Sequence, residues 1–111
     1  MNKTNFTEGD IIFLEFSPTK GHEQRGHRPG VIVSNDTYHQ KTGMYLVCPI
    51  STNNKDFPLH IALEGTKDVK GKIFCEHVRA MDLDARNAKK IEECPPNILE
   101  SVKNIIQLFL I

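Results

Sequence analysis

Short apolar runs alternate with polar segments that carry glycine or proline along the first three quarters of the chain. Runs of strand-forming residues bounded in this way are typical of β-strands. Four of them predict strands at 10–16, 31–34, 44–51 and 59–63. A fifth strand is predicted at 72–82, whereas a short strand, an irregular turn and a helix all fit residues 83–94. The polar residues 35–43 end in Gly43 and predict a turn.

The C-terminal segment changes to a helical period. Its apolar residues recur at a spacing of three or four, at Ile98, Val102, Ile105 and Phe109, which predicts a helix with one apolar face. Asn97 follows two prolines and has Glu100 at the capping-box position, so we expect the helix to be capped at Asn97. At least five short strands followed by one helix predict an α+β fold, with a small antiparallel barrel or curved sheet in a single domain over 1–111.

Charge and cysteine content limit the classes of function. The chain has 14 basic and 14 acidic residues, so a nucleic acid would have to be bound by a local basic patch. The three cysteines form no CxxC pair, which argues against a disulfide framework or a structural zinc site, and we expect no metal and no cofactor. The N-terminus lacks the apolar segment of a signal peptide, and no apolar run reaches the roughly 18–20 residues of a membrane span. We therefore expect a soluble, cytoplasmic protein that does not bind a membrane.

The loop before the second strand is rich in titratable side chains. The candidates for chemistry in this loop are Lys20, His22, Glu23, His27 and Arg28. Pro29 favours an extended conformation at Arg28, whose guanidinium group offers a planar set of donors suited to phosphate. A carboxylate or an imidazole beside it can accept the proton of an attacking hydroxyl. The combination is typical of a site that cleaves a phosphodiester, although a solvated loop with an exposed Arg–Glu pair fits the same residues.

Two further positions carry polar side chains near predicted strand ends. Ser51 and Thr52 close the third strand and would place hydroxyl donors at the same end of the barrel, although such residues are also ordinary at strand ends. Glu76 lies within the predicted fifth strand, where it fits either an outward-facing charge or a carboxylate at the barrel mouth.

Three segments of the sequence together resemble the MazF/PemK family of toxin endoribonucleases, and the MazF branch in particular. They are GDIIFLEFSPTKGHEQRGHRPGVIVS, KTGMYLVCPISTNNKDFP and CEHVRAMD. The glycine–aspartate start, the GHRP motif and the proline followed by a hydroxyl pair come in the family's order and spacing over nearly the whole chain. The resemblance implies a CcdB/PemK-type fold, which is a small SH3-like antiparallel β-barrel with a C-terminal α-helix, assembled as a homodimer.

The resemblance also implies an activity, namely metal-independent cleavage of single-stranded RNA at short sequences. In the family the ribose 2′-hydroxyl attacks the adjacent phosphate and leaves a 2′,3′-cyclic phosphate and a 5′-hydroxyl. A cognate MazE-type antitoxin occupies the RNA groove and inhibits the enzyme. We therefore expect single-stranded RNA and such an antitoxin to be the partners of this chain.

The family's functional residues carry over one by one. The loop arginine is Arg28, and the catalytic threonine two residues after the strand proline is Ser51 here. Glu23 is the loop glutamate, which we rank ahead of His27 as the base for the 2′-hydroxyl. Glu76 matches an acid/base aspartate of the PemK branch, but that branch has an arginine two positions earlier, where this chain has Phe74. The PemK mechanism is therefore not carried over.

Two other functions are compatible with the same fold. A family member that has lost turnover, through serine in place of threonine at Ser51, would act as an RNA- or antitoxin-binding module. A gyrase poison of the CcdB kind shares the fold but lacks the GHRP loop, so the presence of that loop argues against it.

Overall fold

Seven antiparallel strands and two helices make up the regular structure in the computed structural model, which describes residues 6–15, 27–52 and 58–110. The strands are β1 (Asp10–Glu15), β2 (His27–Ile32), β3 (Tyr45–Ser51), β4 (His60–Leu63), β5 (Gly71–Phe74), β6 (Arg79–Met81) and β7 (Lys89–Glu93). The helices are α1 (Asp36–Thr42) and α2 (Pro96–Leu108), and a 3-10 turn (Cys75–His77) follows β5. The predicted α+β class, with antiparallel strands before a C-terminal helix, is confirmed.

β3 is the strand around which the sheet is arranged. The strands pair in the order β4-β5-β3-β2-β1-β7, and β6 pairs with β3 outside this path. β2 lies along one edge of β3, while the other edge pairs first with β6, over 45–47, and then with β5, at Ile50 and Ser51. Ser51 therefore ends β3 beside β5, two residues beyond the last β3 position that pairs with β2.

Apolar side chains lie on both faces of the sheet, because successive side chains of a strand point to opposite sides. On the face covered by α2, a helix-side core includes Ile11, Val31, Cys48, Ile50, Ile73, Ile98 and Val102. On the other face, an opposite core includes Phe6, Ile12, Leu14, Ile32, Tyr45, Val47, Met81 and Leu83. The central strands are thus buried on both sides over most of their length.

The strand predicted at 72–82 is interrupted. β5 ends at Phe74, the chain makes the 3-10 turn, and β6 begins at Arg79. The backbone N–H of Val78 closes the turn by donating to the carbonyl of Cys75 at 3.3 Å. The prediction was wrong at Glu76, which lies in the turn rather than in a strand. The apolar residues of 72–82 keep a strand-like pattern across the turn, and so the pattern did not mark it.

The segment predicted as a turn at 35–43 contains a helix, α1. The side chain of Asn35 accepts a hydrogen bond from the backbone N–H of Tyr38 at 3.0 Å and caps the N-terminus. Gly43 ends the helix in a left-handed conformation, with φ 73°, which glycine adopts without steric cost. Both capping signals are present in the sequence, but the helix is short and has no buried residue, so no apolar period revealed it.

The C-terminal helix confirms the predicted apolar spacing except at Phe109, which follows the last helical residue and is 42% exposed, and it corrects the predicted start. α2 begins at Pro96, so Asn97 lies in the first turn and the predicted cap at Asn97 was wrong. Proline is well tolerated at this position because the first N–H groups of a helix have no partner within it. Ile98 and Val102 are buried in the helix-side core. The described part of the chain contains no helix long and apolar enough to cross a membrane.

Candidate active site

Arg28 lies inside β2 rather than in the loop before it, because the strand begins earlier than predicted. Its Cα partner across β1 is Leu14, and its side chain is partly buried. Two residues on, Gly30 allows β2 to approach β3 closely, since a Cβ there would come within 2.7 Å of Val47 Cγ1 and 3.2 Å of the Cys48 carbonyl oxygen. The backbone that carries Arg28 is therefore fixed by pairing on one side and by close contact on the other.

The register of β2 against β3 brings Arg28 and Ser51 together. The paired positions are Ile32 with Val47, Val31 with Cys48 and Gly30 with Pro49. Continuing this register by two residues places Arg28 opposite Ser51. Residues opposite each other on antiparallel strands project to the same face and lie about 5 Å apart. The pairing of β2 with β3 ends at Gly30 and Pro49, so the alignment of Arg28 with Ser51, 23 positions later in the sequence, is an extension of that register.

Lys72 extends this arrangement on the other side of Ser51. It is the Cα partner of Ser51 across β5, so it projects to the same face. The preceding residue, Gly71, has φ 132°, and a Cβ there would overlap the carbonyl oxygen of Ser51. Glycine is therefore required for β5 to start against the end of β3. We call Arg28, Ser51 and Lys72 the polar row; each of the three has an interaction partner in the structure.

Lys72 is a residue that the sequence reasoning missed. It is one of 14 basic residues in the chain and belongs to no motif. It lies beside Ser51 because β5 pairs with the last residues of β3. The alternation of apolar and polar residues within a strand does not predict which strand it pairs with.

Glu76, in the turn that follows β5, takes part in a separate cluster of side chains with His60, Phe74 and His77. Its Oε2 lies 2.7 Å from Nε2 of His60 and 3.7 Å from Nε2 of His77. The His60 ring stacks on Phe74, with centroids 3.7 Å apart and an interplanar angle of 7°. The Glu76 side chain is 25% exposed and that of His60 is 6% exposed. Glu76 is therefore a partly buried carboxylate held by two histidines, and its catalytic role stays a prediction.

This cluster lies beside the polar row along β5. Phe74 is two residues from Lys72 along β5, or roughly 7 Å at the usual rise of a strand. The second carboxylate oxygen of Glu76, Oε1, is buried and accepts no hydrogen bond. It is an acceptor held in place by the His60 contact to Oε2.

The remaining predicted site residues fall partly outside the described ranges. Lys20, His22 and Glu23 belong to 16–26, which lie outside the described residues. The backbone of His27 pairs with Glu15, but the His27 side chain is not part of the described structure. Thr52 is exposed and follows the last residue of β3. The choice of Glu23 or His27 as the base therefore stays a prediction.

The cysteines belong to the packing of the molecule rather than to its chemistry. All three, Cys48, Cys75 and Cys94, are free and buried. Burial raises the pKa of Cys75 to about 11, with a further contribution from the charge of Glu76, and burial raises that of Cys94 to about 11. Burial raises the pKa of Cys48 further. The nucleophilic thiolate form is therefore scarce at neutral pH.

A well-defined concavity of the described residues lies away from the polar row. It has a volume of about 590 Å³. It is lined by Glu8, Val33, Ser34, Asn35, Thr37, Tyr38, Lys41, Leu46 and Lys103. We take the polar row, and not this concavity, as the candidate site, because two cations and a hydroxyl on one face form a set of donors for a phosphoryl group. The concavity instead has an ion pair at its edge, between Lys103 and Glu8.

Comparison with known proteins agrees with the fold and covers almost the whole chain. The family described as PemK-like, MazF-like toxin of type II toxin-antitoxin system matches residues 7–110. The chain is 37% identical over 102 residues to the endoribonuclease toxin MazF of Escherichia coli (strain K12), covering 92% of this chain and 91% of that protein. It is 38% identical over 108 residues to the endoribonuclease toxin ChpB of the same strain, covering 90% of each.

Solved structures agree with these relatives. The crystal structure of MazF (Form-I) from Deinococcus radiodurans has a TM-score of 0.85 at 30% identity, covering 97% of this chain and 98% of that one. The crystal structure of MazE-MazF (Form-II) from the same organism has a TM-score of 0.85 at 30% identity and covers 97% of each chain. The β-sheet with its C-terminal helix is thus the CcdB/PemK-type fold, and the chain belongs to the PemK-like, MazF-like toxin family of type II toxin–antitoxin systems.

Proposed function

We propose that this protein is an endoribonuclease toxin that cleaves single-stranded RNA at short recognition sequences. The observation that supports the proposal is the register of β2 against β3, which pairs Gly30 with Pro49 and, when continued by two residues, aligns the guanidinium-bearing Arg28 with the hydroxyl-bearing Ser51. Support comes from two relatives with endoribonuclease in their names, which share 37–38% of their residues with this chain over about nine tenths of its length. The activity would reside in one domain that spans residues 1–111.

The chemistry follows from what each side chain can offer a phosphodiester. The ribose 2′-hydroxyl attacks the adjacent phosphorus while a base, Glu23 or His27, takes its proton. The bond from phosphorus to the 5′-oxygen breaks, which leaves a 2′,3′-cyclic phosphate and, after proton uptake, a 5′-hydroxyl. Arg28 stabilises the charge on the equatorial oxygens, and Ser51 donates a hydrogen bond to one of them. An arginine side chain is a poor proton donor because it stays protonated in proteins, so the role of Arg28 is electrostatic.

The reaction needs a 2′-hydroxyl nucleophile, and DNA is therefore not a substrate. The fixed positive charge that a metal ion supplies in many nucleases is provided here by the guanidinium group of Arg28. We therefore propose a metal-independent reaction.

Incubation of the purified protein with a long single-stranded RNA in EDTA tests the proposal. Primer extension should show stops at a short recurring sequence, and the products should carry cyclic phosphate and 5′-hydroxyl ends. Activity that disappears in EDTA and returns with magnesium would contradict the mechanism. RNA that is bound but never cut would instead indicate a binding module that has lost turnover.

We propose that the protein's inhibitor is a MazE-type antitoxin. Support comes from the MazE-MazF crystal structure of Deinococcus radiodurans, in which the MazF chain matches this one at 30% identity over nearly its full length. A purified antitoxin of this type should suppress RNA cleavage at equimolar concentration. Undiminished cleavage at saturating antitoxin would contradict this partner.

We also propose that the protein is a homodimer, with the end of α2 in the interface. Leu108 and Leu110 are 67% and 80% exposed, and Phe109 between them is 42% exposed. A contiguous apolar patch of this kind usually marks an interface. Sedimentation at micromolar concentration should give a dimer for the wild type and for Gln107→Glu, and a monomer for Leu108→Glu. A wild-type monomer would contradict the proposal.

A further inference from the structure

We propose that Lys72 is a second phosphate-binding cation of the active site, placed on the side of Ser51 opposite to Arg28. The proposal rests on the proposed function, because it adds a residue to the same site. It begins from the pairing of β3 with β5, in which Ser51 and Lys72 are direct Cα partners. With the β2–β3 register continued from Gly30 to Arg28, a residue of β2, one of β3 and one of β5 line up across three strands on one face of the sheet.

The spacing of this line suits a nucleic acid backbone. Neighbouring strands lie about 4.8 Å apart, so the backbones at Arg28 and Lys72 are separated by roughly 10 Å, with the Ser51 hydroxyl between them. Two long cationic side chains that start from these positions can converge on one phosphate or reach two consecutive ones. The ammonium group acts as a point charge and tolerates both arrangements, whereas the guanidinium fork of Arg28 orients the phosphoryl group.

Close packing at the start of β5 fixes the backbone position of Lys72. Gly71 approaches the Ser51 carbonyl so closely that no side chain fits at that position. The other register partner of Lys72 is Ala62 of β4, so both residues directly beside Lys72 are small and uncharged. Lys72 is partly buried, which is the usual state of a lysine whose stem packs on the sheet while its ammonium group reaches outward. It makes interactions in the free protein, and a phosphate would exchange with these.

Because the protein has no net charge, the two cations Arg28 and Lys72 are important for RNA binding. Because 14 basic residues are balanced by 14 acidic ones, the affinity for RNA must come from cations gathered on one surface. The polar row supplies two of them beside a hydroxyl donor. This combination favours a phosphodiester over an acidic protein segment, because a phosphate accepts from the guanidinium, hydroxyl and ammonium groups at once.

The salt dependence of RNA binding isolates the role of Lys72. The probe is a 20-nucleotide single strand of random sequence in which every ribose is 2′-O-methylated, so that it keeps the phosphates but has no nucleophile. Fluorescence anisotropy is measured from about 25 to about 200 mM salt for the wild type, Lys72→Gln, Lys72→Arg and Lys67→Gln, because rising salt shortens the Debye length and weakens contacts to phosphate. Lys67 is an exposed lysine in the turn before β5, and its replacement matches the change in net charge.

We expect Lys72→Gln to reduce the slope of log affinity against log salt by about 0.7, which is the value for one lost contact to a single-stranded phosphate. The affinity at low salt should fall on the order of tenfold. Lys72→Arg should keep both the slope and the affinity, and Lys67→Gln should leave both within about twofold of the wild type. Thermal melting of all four proteins checks that the fold is retained. If Lys72→Gln is unstable, Lys72→Met, which keeps the packed stem and removes the charge, carries the test and should show the same reduced slope.

An unchanged slope in Lys72→Gln would overturn the proposal, and so would a wild type that does not bind the probe. Weakened binding of an acidic antitoxin peptide with unchanged binding of the probe would also overturn it, and would assign Lys72 to the protein partner. A different outcome would contradict the proposed function: a wild type that binds the probe but does not cleave unmodified RNA in EDTA.

Discussion

The two ends of one sheet face differ in character although the same strands form both. At one end, Ile32 and Val47 are register partners and fully buried in the opposite core. Four residues along each strand, on the same side, the corresponding pair is Arg28 and Ser51, both only partly buried. Phe6 and Leu83, from segments outside the strands, belong to the same opposite core as the first pair. Alternation thus decides which face a residue occupies, and the covering segments decide whether that face becomes core or site.

The comparison predicts that substitutions at the two ends have opposite consequences. At the core end, a change should lower the free energy of unfolding and leave the turnover of the folded molecules unchanged. In the polar row, a change should lower turnover and leave stability nearly unchanged. The experiments below test this separation, from the largest expected effect to the smallest.

Replacing Arg28 should have the largest effect. Arg28→Gln removes both the charge and the fork, and we expect kcat/KM to fall about 1,000-fold or more, as for the loss of a principal transition-state stabiliser. Arg28→Lys should recover only part of the rate, because it restores the charge without the planar pair of donors. The measurement is cleavage of a mapped RNA site, with urea denaturation as the control for folding. A rate within a few fold of the wild type would move the site elsewhere.

Replacing the hydroxyl of Ser51 should come next. Ser51→Ala should lower kcat by about 100–1,000-fold, which is the usual effect of removing one donor to a developing oxyanion. Thr52→Ala is the matched control, since Thr52 is exposed beyond the strand end, and it should cost less. The reverse order, with Thr52→Ala inactive and Ser51→Ala active, would show that the catalytic hydroxyl is one residue further along the chain.

A change at the core end provides the counterpart. Ile32→Val removes one methyl group from a fully buried side chain, and we expect it to lower the free energy of unfolding by about 1 kcal/mol. The cleavage rate per folded molecule should stay within twofold of the wild type. A large loss of rate without loss of stability would mean that the two ends are coupled.

The smallest effect should come from restoring the family's residue in the polar row. Ser51→Thr keeps the hydroxyl and adds a β-branch that restricts the side-chain rotamer. We expect a rate between that of the wild type and a few-fold faster, because the gain in preorganisation is about 0.5 kcal/mol. A decrease of more than tenfold would indicate that the site has adapted to the smaller side chain.

The sequence predicted what depends on local period and missed what depends on pairing. The strands around Ile11, Val47 and Ile61, and the apolar face of α2, follow from alternation and helical spacing. Lys72 was missed because its neighbour Ser51 is 21 residues away, and no period carries the register between two strands. Glu76 was predicted to lie in a strand because the pattern of apolar residues in 72–82 continues across the turn between β5 and β6.

The site was predicted only in part for a related reason. Arg28 and Ser51 became candidates because each belongs to a short motif with a recognisable order, and the β2–β3 register, continued past Gly30 and Pro49, aligns them. The helix α1 was missed although Asn35 and Gly43 carry its caps, since seven exposed or partly exposed residues lack the apolar face by which helices are recognised.

A single-atom change in the RNA tests the central mechanism most directly. Once a cleaved bond has been mapped, two oligonucleotides that contain it are compared, one of RNA throughout and one with 2′-deoxyribose only at the nucleotide on the 5′ side of the scissile phosphate. Attack by the 2′-hydroxyl predicts that the first is cut in EDTA to a 2′,3′-cyclic phosphate. The second should bind with similar affinity and remain intact. Cleavage of the deoxy-substituted strand at the same bond would show that water is the nucleophile and would contradict the mechanism assigned to Arg28 and Ser51.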